Sequence, residues 1–232
     1  MKIYVDSAVV ASWKQLPGCP PIQGATTNPS LVFQAGLAVN LPTYVQLVKA
    51  AGDHGLPELM LQLPSSDPSQ ALHWLDALRT AAARHNKLRL VVKLPCHVDW
   101  AACIRAIKQE GQALLLTAVA SPVQLLWAQS MQADFVAPYV GRLQADGRDV
   151  WALIQACVAV QNGAGQGKPA LPGPALLAAS IKTPDVLARL IALGAAAVTL
   201  PPASLAAWST DALTQAALDQ FDQDTASSQR FQ

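Results

Sequence analysis

The sequence carries little charge, and the charge it has is balanced. Only 13% of the residues are charged, 16 basic side chains stand against 15 acidic ones, and neither sign forms a run. This excludes the basic surface of a nucleic-acid-binding protein and a polybasic membrane anchor, so we expect a small-molecule partner. With 52% hydrophobic residues the chain can bury a large core, and we expect residues 1–232 to form one domain.

Long uninterrupted apolar runs are also absent. Residues 111–133 and 190–210 lack charge over a span-like length, but proline and polar residues interrupt both. We interpret each stretch as a buried strand followed by a helix. The N-terminal residues MKIYVDSAVV hold an acid within a short apolar run and show no cleavage-site pattern. We therefore expect no signal peptide, and a cytoplasmic location.

Cysteine and histidine are scarce and show none of the spacings that metal sites use. Cys19, Cys96, Cys103 and Cys157 form no CxxC pair, and the four histidines form no HExxH pattern. We predict no metal site and no disulfide. Cys96 and His97 are adjacent, which is compatible with a thiol nucleophile. Neighbours in sequence need not face each other, however, so we do not favour that pair.

What the sequence does contain is an alternation of short apolar runs with helix-length segments. The predicted strands are residues 2–6, 22–26, 58–63, 88–94, 113–118, 134–138, 175–180 and 196–200. Between them, residues 67–85 are typical of a helix, with Pro68 at a first helical position and leucines at helical spacing. Alternation of this kind predicts parallel strands with crossover helices. Eight repeats without a GxGxxG motif favour a (β/α)8 barrel over an open doubly wound sheet.

Two segments fall outside this repeat. Residues 161–174, rich in glycine, proline and glutamine, precede the seventh strand, which predicts a loop on the face of the barrel away from the usual active site. Residues 209–224 follow the eighth strand and predict an amphipathic helix, with Leu213, Leu218 and Phe221 on one stripe. We expect this C-terminal segment to pack on a neighbouring subunit.

Lys93 lies in LRLVVKLP, residues 88–95, the most strand-like apolar stretch of the chain. Burial disfavours the ammonium form and lowers the pKa of a lysine, and a neutral amine can attack a carbonyl carbon to form a Schiff base. The alternative interpretation is a lysine that extends its charged end to solvent or pairs with a carboxylate. The sequence of this stretch alone leaves both open.

Polar side chains occur at the ends of nearly all the predicted strands. They are Asp6, Thr26, Thr27, Asn28, Gln62, Lys93, Thr117, Tyr139, Arg142, Ser180 and Lys182. In a barrel the carboxyl ends of the strands converge on one rim, where the catalytic groups of this fold collect. A single polar residue at a strand end is explained equally well by the start of a loop. Their joint occurrence favours a site.

Six sequence blocks resemble the transaldolase family, in particular its small bacterial branch. In chain order they are KIYVDSA, GATTNPSLV, VVKLP, TAVASP, DFVAPYVGR and LLAASIKTP. The resemblance implies a barrel of class I aldolase type in which Lys93 forms a Schiff base with a ketose, without a metal or another cofactor. It also implies pentamers or decamers, with residues 204–232 used in contacts between subunits.

The resemblance further implies roles in the chemical steps. Asp6 would accept the proton of the substrate C4 hydroxyl, and Gln62, Thr117 and Tyr139 would hold a water for proton transfer to the imine and enamine, the phenol or that water acting as acid and base. The alternatives are a carboxylate that merely pairs with Lys93, and polar residues of the core.

Substrate-binding roles are implied in the same way. Asn28 would orient substrate hydroxyls and Thr27 would shape the pocket beside it, although either could instead cap the helix near Pro29. Arg142, Ser180 and Lys182 would bind the phosphate of a sugar phosphate through charge-assisted hydrogen bonds.

Three positions separate the two activities of the family. Transaldolases typically carry Glu, Phe and Asn where this chain has Gln62, Tyr139 and Leu115. All three differences favour an aldolase that splits fructose 6-phosphate into dihydroxyacetone and glyceraldehyde 3-phosphate. The alternatives are a transaldolase and a catalytically silent barrel that binds a sugar phosphate. The chain departs from the family at Ser7, where Thr is usual, and at Ala120, where an aromatic residue is usual.

Overall fold

The strands are those that the sequence predicts. We describe them from a computed structural model, which covers residues 1–14, 20–163 and 173–228. The strands are β1 Lys2–Asp6, β2 Gly24–Thr26, β3 Glu58–Gln62, β4 Arg89–Pro95, β5 Leu114–Thr117, β6 Phe135–Ala137, β7 Ala175–Ala178 and β8 Ala197–Leu200. All eight predicted strands are confirmed, and only their ends move by one or two residues.

The sheet is a closed parallel barrel in chain order. Each strand pairs with the next, and β8 pairs with β1, where Tyr4 lies opposite Thr199. At the upper end of β1, Asp6 lies opposite Thr26 of β2. The predicted (β/α)8 barrel is therefore confirmed. Because all strands run in one direction, their carboxyl ends form a single rim.

Helices alternate with the strands on the outside. They are α1 Pro29–Gln34, α2 Leu41–Asp53, α3 Pro68–Ala82, α4 Ala101–Gln109, α5 Pro122–Ser130, α6 Val140–Ala145, α7 Val150–Gln161, α8 Pro184–Leu193, α9 Pro202–Trp208 and α10 Ala212–Ser228. Short 3-10 turns cover Val10–Trp13 and Val98–Trp100. The helix predicted at residues 67–85 is α3. The two charge-poor stretches contain β5 with α5, and β8 with α9, as predicted.

Local sequence explains where many of these helices begin. Five of them share a capping side chain that accepts a backbone N–H of the first turn, followed by proline in the first two helical positions. The capping residues are Asn28, Asn40, Asp67, Ser121 and Thr183. Proline costs nothing there because the first turn has no intrahelical acceptor for its missing N–H.

Side-chain alternation divides the core in two. One set of strand residues packs outward against the helices, and the other fills the barrel interior. The interior cluster consists of Tyr4, Met60, Val91, Leu115, Phe135, Ala137, Leu177 and Ala197. This apolar layer separates the two ends of the barrel, so polar groups at one end are isolated from those at the other.

A buried carboxylate occupies the lower, amino-terminal end of the barrel. Glu58 is only 2% exposed. It accepts a hydrogen bond from Tyr4 Oη at 2.6 Å and one from Arg89 Nη1 at 2.5 Å. Burial and the bond to Glu58 raise the pKa of the Tyr4 phenol. Every charge in this group has a partner, as a structural role requires.

The C-terminal helix lies apart from this core. It is confirmed as α10, although it starts and ends later than the predicted residues 209–224. None of its residues is buried, and Leu213 and Phe221 are 82% and 61% exposed. Of the predicted loop at residues 161–174, residues 164–172 lie outside the described part of the chain, as does Cys19. Among the described residues, no helix is long and apolar enough to cross a membrane.

Candidate active site

Seven strands direct a polar side chain into the top of the barrel interior. Alternation places six of these side chains two residues beyond a member of the apolar interior layer, and they are Asp6, Gln62, Lys93, Thr117, Tyr139 and Thr199. The seventh is Thr26, which lies two residues beyond Gly24. The seventh strand contributes Ala179, which forms a bridge with Tyr139. Five of the ten candidates, the residues to which the family resemblance assigns roles, belong to this polar layer. Those ten include Thr27 but not Thr199, and not Thr26, which the sequence marks only as a polar residue at a strand end.

Lys93 is the buried cation of the layer. It is 5% exposed, and among the described residues no carboxylate lies within ion-pair distance of its Nζ. Desolvation by burial lowers the pKa of Lys93, and the negative charge of Asp6 opposes that effect. The interpretation as a solvent-directed lysine therefore does not fit, and the amine has the environment that a Schiff base requires.

The lowered pKa predicts how Lys93 affects stability. The unfolded chain has the ordinary lysine pKa of 10.5, so the folded state alone bears the cost of burying the ammonium. That cost is full below the folded pKa, declines as the pH rises through it, and is gone above 10.5. Each unit of pKa difference corresponds to about 1.4 kcal/mol. Lys93→Met should thus raise the melting temperature, and by less as the pH approaches 10.5.

Thermal unfolding of the wild type and of Lys93→Met, followed by circular dichroism at increasing pH, measures this effect. Lys87→Met is the matched control, because Lys87 is exposed and lies before β4. A gap between Lys93→Met and wild type that stays constant across the alkaline range would show that Lys93 is not destabilised by its burial.

Asp6 is held from below by two threonines. Thr26 Oγ1 donates to Asp6 Oδ1 at 2.7 Å, and Thr26 Oγ1 and Thr199 Oγ1 are also 2.7 Å apart. Thr27, the sequence candidate, points elsewhere: it is fully buried, and its Oγ1 has no hydrogen-bond partner among the described residues. The sequence could have indicated Thr26, because a residue that lies opposite Asp6 on the neighbouring strand faces the barrel interior as Asp6 does.

Tyr139 connects the polar layer to the opening. Thr117 Oγ1 donates to Tyr139 Oη at 2.9 Å, so the phenol keeps its own hydrogen for another acceptor. The guanidinium of Arg142 lies over the ring, with its Cζ 4.7 Å from the ring centroid. Gln62 lies half-buried at the end of β3, where Tyr44 Oη donates to its backbone oxygen at 3.0 Å.

A cavity of about 430 Å³ opens at this rim. Six of the ten candidates line it: Asp6, Asn28, Tyr139, Arg142, Ser180 and Lys182. Gln62, Lys93 and Thr117 belong to the polar layer and, like Thr27, are not among the lining residues. Asp6 and Tyr139 therefore connect the cavity with the buried amine. Asn28 Oδ1 accepts from Leu31 N at 3.0 Å, which confirms its capping role and leaves its amide nitrogen as a donor.

One wall of the cavity is positively charged. Arg142 in α6 and Lys182 after β7 are exposed, and Ser180 between them has a left-handed backbone with φ of 60°. Gly141 permits this approach: its N–H donates to Ser180 O at 2.9 Å, and a Cβ there would lie 2.4 Å from that oxygen. Two cations and a hydroxyl on one wall suit a phosphate group.

A larger cavity lies at the opposite end of the barrel, but its lining is less suited to catalysis. It measures about 690 Å³ and is lined in part by Arg89, Asp134 and Phe135. Its cation is already engaged, because Arg89 pairs with Glu58 and lies 3.6 Å from Asp134. None of the ten candidates lines it. The reactive groups therefore lie at the smaller cavity, although the other cavity has the larger volume.

The cysteines lack the environment of nucleophiles. Cys96, Cys103 and Cys157 are free and buried. Desolvation raises the pKa of Cys96 to about 12, and its Sγ donates to the backbone oxygen of Gln124 at 3.5 Å. His97 is exposed and accepts from Asp99 N instead. Cys96 and His97 thus do not form a catalytic pair. Within the described residues no group of three His, Cys, Asp or Glu could hold a metal ion.

The family model described as Transaldolase/Fructose-6-phosphate aldolase matches residues 69–232, more than half of the chain. Two solved structures are similar in fold. A cube-shaped, highly porous protein cage, designed by fusing symmetric oligomeric domains, is 15% identical with a TM-score of 0.53, covering 100% of this chain and 78% of that chain. A native KDPGal structure is 16% identical with a TM-score of 0.50, covering 85% and 80%. At these identities the likeness concerns the fold alone.

Proposed function

Because the chain belongs to the transaldolase/fructose-6-phosphate aldolase family, we propose that it is a Schiff-base aldolase that cleaves or forms fructose 6-phosphate from dihydroxyacetone and glyceraldehyde 3-phosphate. The observation that carries the proposal is the environment of Lys93, a buried amine with a lowered pKa beside the cavity rim. A lysine that binds charge at a surface needs neither feature.

The first step uses the neutral amine. The lone pair of Lys93 Nζ attacks C2 of the ketose, and the resulting carbinolamine loses water to give an iminium. Desolvation favours this step because it increases the fraction of lysine that is unprotonated. The iminium then serves as the electron acceptor for breaking the neighbouring carbon–carbon bond.

Asp6 is proposed as the base for bond cleavage. It takes the proton of the C4 hydroxyl while the O–H electrons form the new carbonyl of glyceraldehyde 3-phosphate. The C3–C4 bond breaks, and its electron pair moves through C2 to the nitrogen, leaving an enamine on Lys93. The cavity position of Asp6 and its electrostatic effect on Lys93 support this role.

Release requires a proton and a water. We propose that Gln62, Thr117 and Tyr139 hold the water, and that the phenol or that water protonates C3 of the enamine. Water then adds to C2, the C2–N bond breaks, and dihydroxyacetone leaves with Lys93 restored. The 2.9 Å bond from Thr117 to Tyr139 supports a shared role for the two side chains.

The remaining candidates would bind the substrate. Arg142, Ser180 and Lys182 are proposed to bind the phosphate, because their wall of the cavity has two cations and a hydroxyl. Asn28 would donate its amide to a substrate hydroxyl. Thr27 would act only through the backbone beside it, since its side chain is fully buried.

The wider organisation is proposed on the same basis. We infer that residues 1–232 act as one barrel domain in the cytoplasm and that copies assemble through the C-terminal segment, residues 204–232. The exposed apolar residues Leu213, Leu218 and Phe221 of α10 support such a contact. The resemblance favours a pentamer or decamer.

A transaldolase is the second candidate, because the family model covers both activities and both need Lys93. Three features favour the aldolase. Gln62 and Tyr139 stand where transaldolases carry Glu and Phe, and Leu115 is a fully buried member of the apolar interior layer, where it cannot donate a hydrogen bond as Asn would. A silent sugar-phosphate-binding barrel is disfavoured by the lowered pKa of Lys93.

Product analysis tests the proposal. The purified protein is given fructose 6-phosphate with and without erythrose 4-phosphate, and dihydroxyacetone, glyceraldehyde 3-phosphate and sedoheptulose 7-phosphate are followed. We expect free dihydroxyacetone without the acceptor, because water alone completes an aldolase turnover. Sedoheptulose 7-phosphate formed with the acceptor, and no free dihydroxyacetone under either condition, would instead identify a transaldolase. No product under either condition would contradict both.

A further inference from the structure

A chain of three side chains runs beneath the cavity across neighbouring strands. It consists of Thr199 in β8, Thr26 in β2 and Asp6 in β1, the strand between them. We propose that Thr199 is a positioning residue that acts through Thr26 to fix Asp6 Oδ1, which leaves Asp6 Oδ2 to accept the substrate proton. The inference rests on the proposed function, because it assigns a task within it.

The hydrogen bonds of this chain can run in only one direction while Asp6 is ionised. Thr26 Oγ1 lies 2.7 Å from Asp6 Oδ1 and 2.7 Å from Thr199 Oγ1. A carboxylate only accepts, so the single hydroxyl hydrogen of Thr26 goes to Asp6. The hydrogen between the two threonines must then come from Thr199. Thr199 therefore donates a hydrogen bond to the Thr26 oxygen, so the hydroxyl hydrogen of Thr26 points toward Asp6.

Burial makes this arrangement stable. Thr26 and Thr199 are 0% and 2% exposed, so bulk water does not compete for their hydroxyl groups. Among the described residues, no other group makes a side-chain hydrogen bond to Thr199 Oγ1. The chain thus ends at Thr199, and it offers no route by which a proton taken up by Asp6 could leave downward. Proton exchange with the substrate is confined to the side of Asp6 that faces the cavity.

The two oxygens of Asp6 consequently have different tasks. Oδ1 is occupied by Thr26, and within the described residues no donor forms a hydrogen bond to Oδ2. The charged or titratable groups around the carboxylate are Lys93 on β4, and Tyr139, Arg142 and Lys182 around the cavity. Within the described residues none of these groups forms a hydrogen bond with the Asp6 carboxylate, so none replaces the orienting bond from Thr26.

Removal of the Thr199 hydroxyl tests the inference. Thr199→Ala and Thr199→Val should each lower kcat for fructose 6-phosphate cleavage by about tenfold, which is the effect of losing one orienting hydrogen bond. KM should stay unchanged, because Thr199 does not line the cavity. Thr199→Ser should restore wild-type kcat.

A double-mutant cycle with Asp6→Asn separates positioning from packing. If Thr199 acts through Asp6, Thr199→Ala should have little further effect on kcat in the Asp6→Asn protein. An equal loss in both backgrounds, or an unchanged kcat in Thr199→Ala, would overturn the inference. Trapping of a dihydroxyacetone adduct with borohydride should succeed in every variant, since imine formation does not need the C4 proton. Failure of trapping in the wild type would refute the proposed function instead.

Discussion

Lys93→Met is expected to lower fructose 6-phosphate cleavage and synthesis by roughly 10³-fold or more, because it removes the atom on which every covalent step depends. Methionine has a similar length and no charge, so the interior of the barrel should remain packed. The substitution therefore separates loss of chemistry from loss of fold. The measurement is product formation at saturating substrate, together with a thermal melt that shows a folded protein.

Covalent trapping makes this prediction specific to one side chain. Reduction with borohydride in the presence of dihydroxyacetone should add the mass of the reduced adduct to the peptide that contains Lys93. The matched control is Lys87→Met, the same substitution at an exposed site before β4, where trapping and turnover should equal those of the wild type. An adduct that persists in Lys93→Met, or that forms on another lysine, would contradict the proposed chemistry.

Much of the fold could be read from the sequence, because each element carries a local signal. Buried parallel strands produce short apolar runs, and proline after a polar cap marks helix starts such as Asp67–Pro68. Eight runs of this kind predict the barrel, and closure follows when β8 pairs with β1. The C-terminal helix was also predictable, but a partner for its exposed apolar stripe was not, because amphipathicity does not identify a partner.

The candidate site was predictable to the extent that strand ends determine it. Six candidates line the cavity because all strands run in one direction and end at one rim. No strong sequence signal indicates Thr199, because its contact with Thr26 exists only when the first and last strands close the barrel. Thr26 and Thr27 are hard to distinguish from the sequence for another reason. A shift of one residue in the register of β2 would exchange the faces of the sheet on which they lie.

The second large expected effect concerns Tyr139→Phe, which should alter the fate of the enamine. Release of dihydroxyacetone should fall by about 10²-fold, the usual loss when one acid or base is removed. Transfer to erythrose 4-phosphate should fall much less, because the acceptor aldehyde and not a proton then captures the enamine. The phenyl ring remains beneath Arg142, whose Cζ lies 4.7 Å from the ring centroid, so the positively charged wall of the cavity should keep its shape. The measurement is the ratio of sedoheptulose 7-phosphate to dihydroxyacetone.

Tyr4→Phe provides the matched control, because it removes the same hydroxyl group at the opposite end of the barrel. Tyr4 Oη bonds to Glu58 at 2.6 Å, so this variant should lose stability but keep the wild-type product ratio. If Tyr139→Phe lowers release and transfer equally, the phenol acts before the two fates diverge, in cleavage or in binding. If it changes neither, the proton for release comes from a group other than Tyr139, and Tyr139 no longer distinguishes the aldolase from the transaldolase.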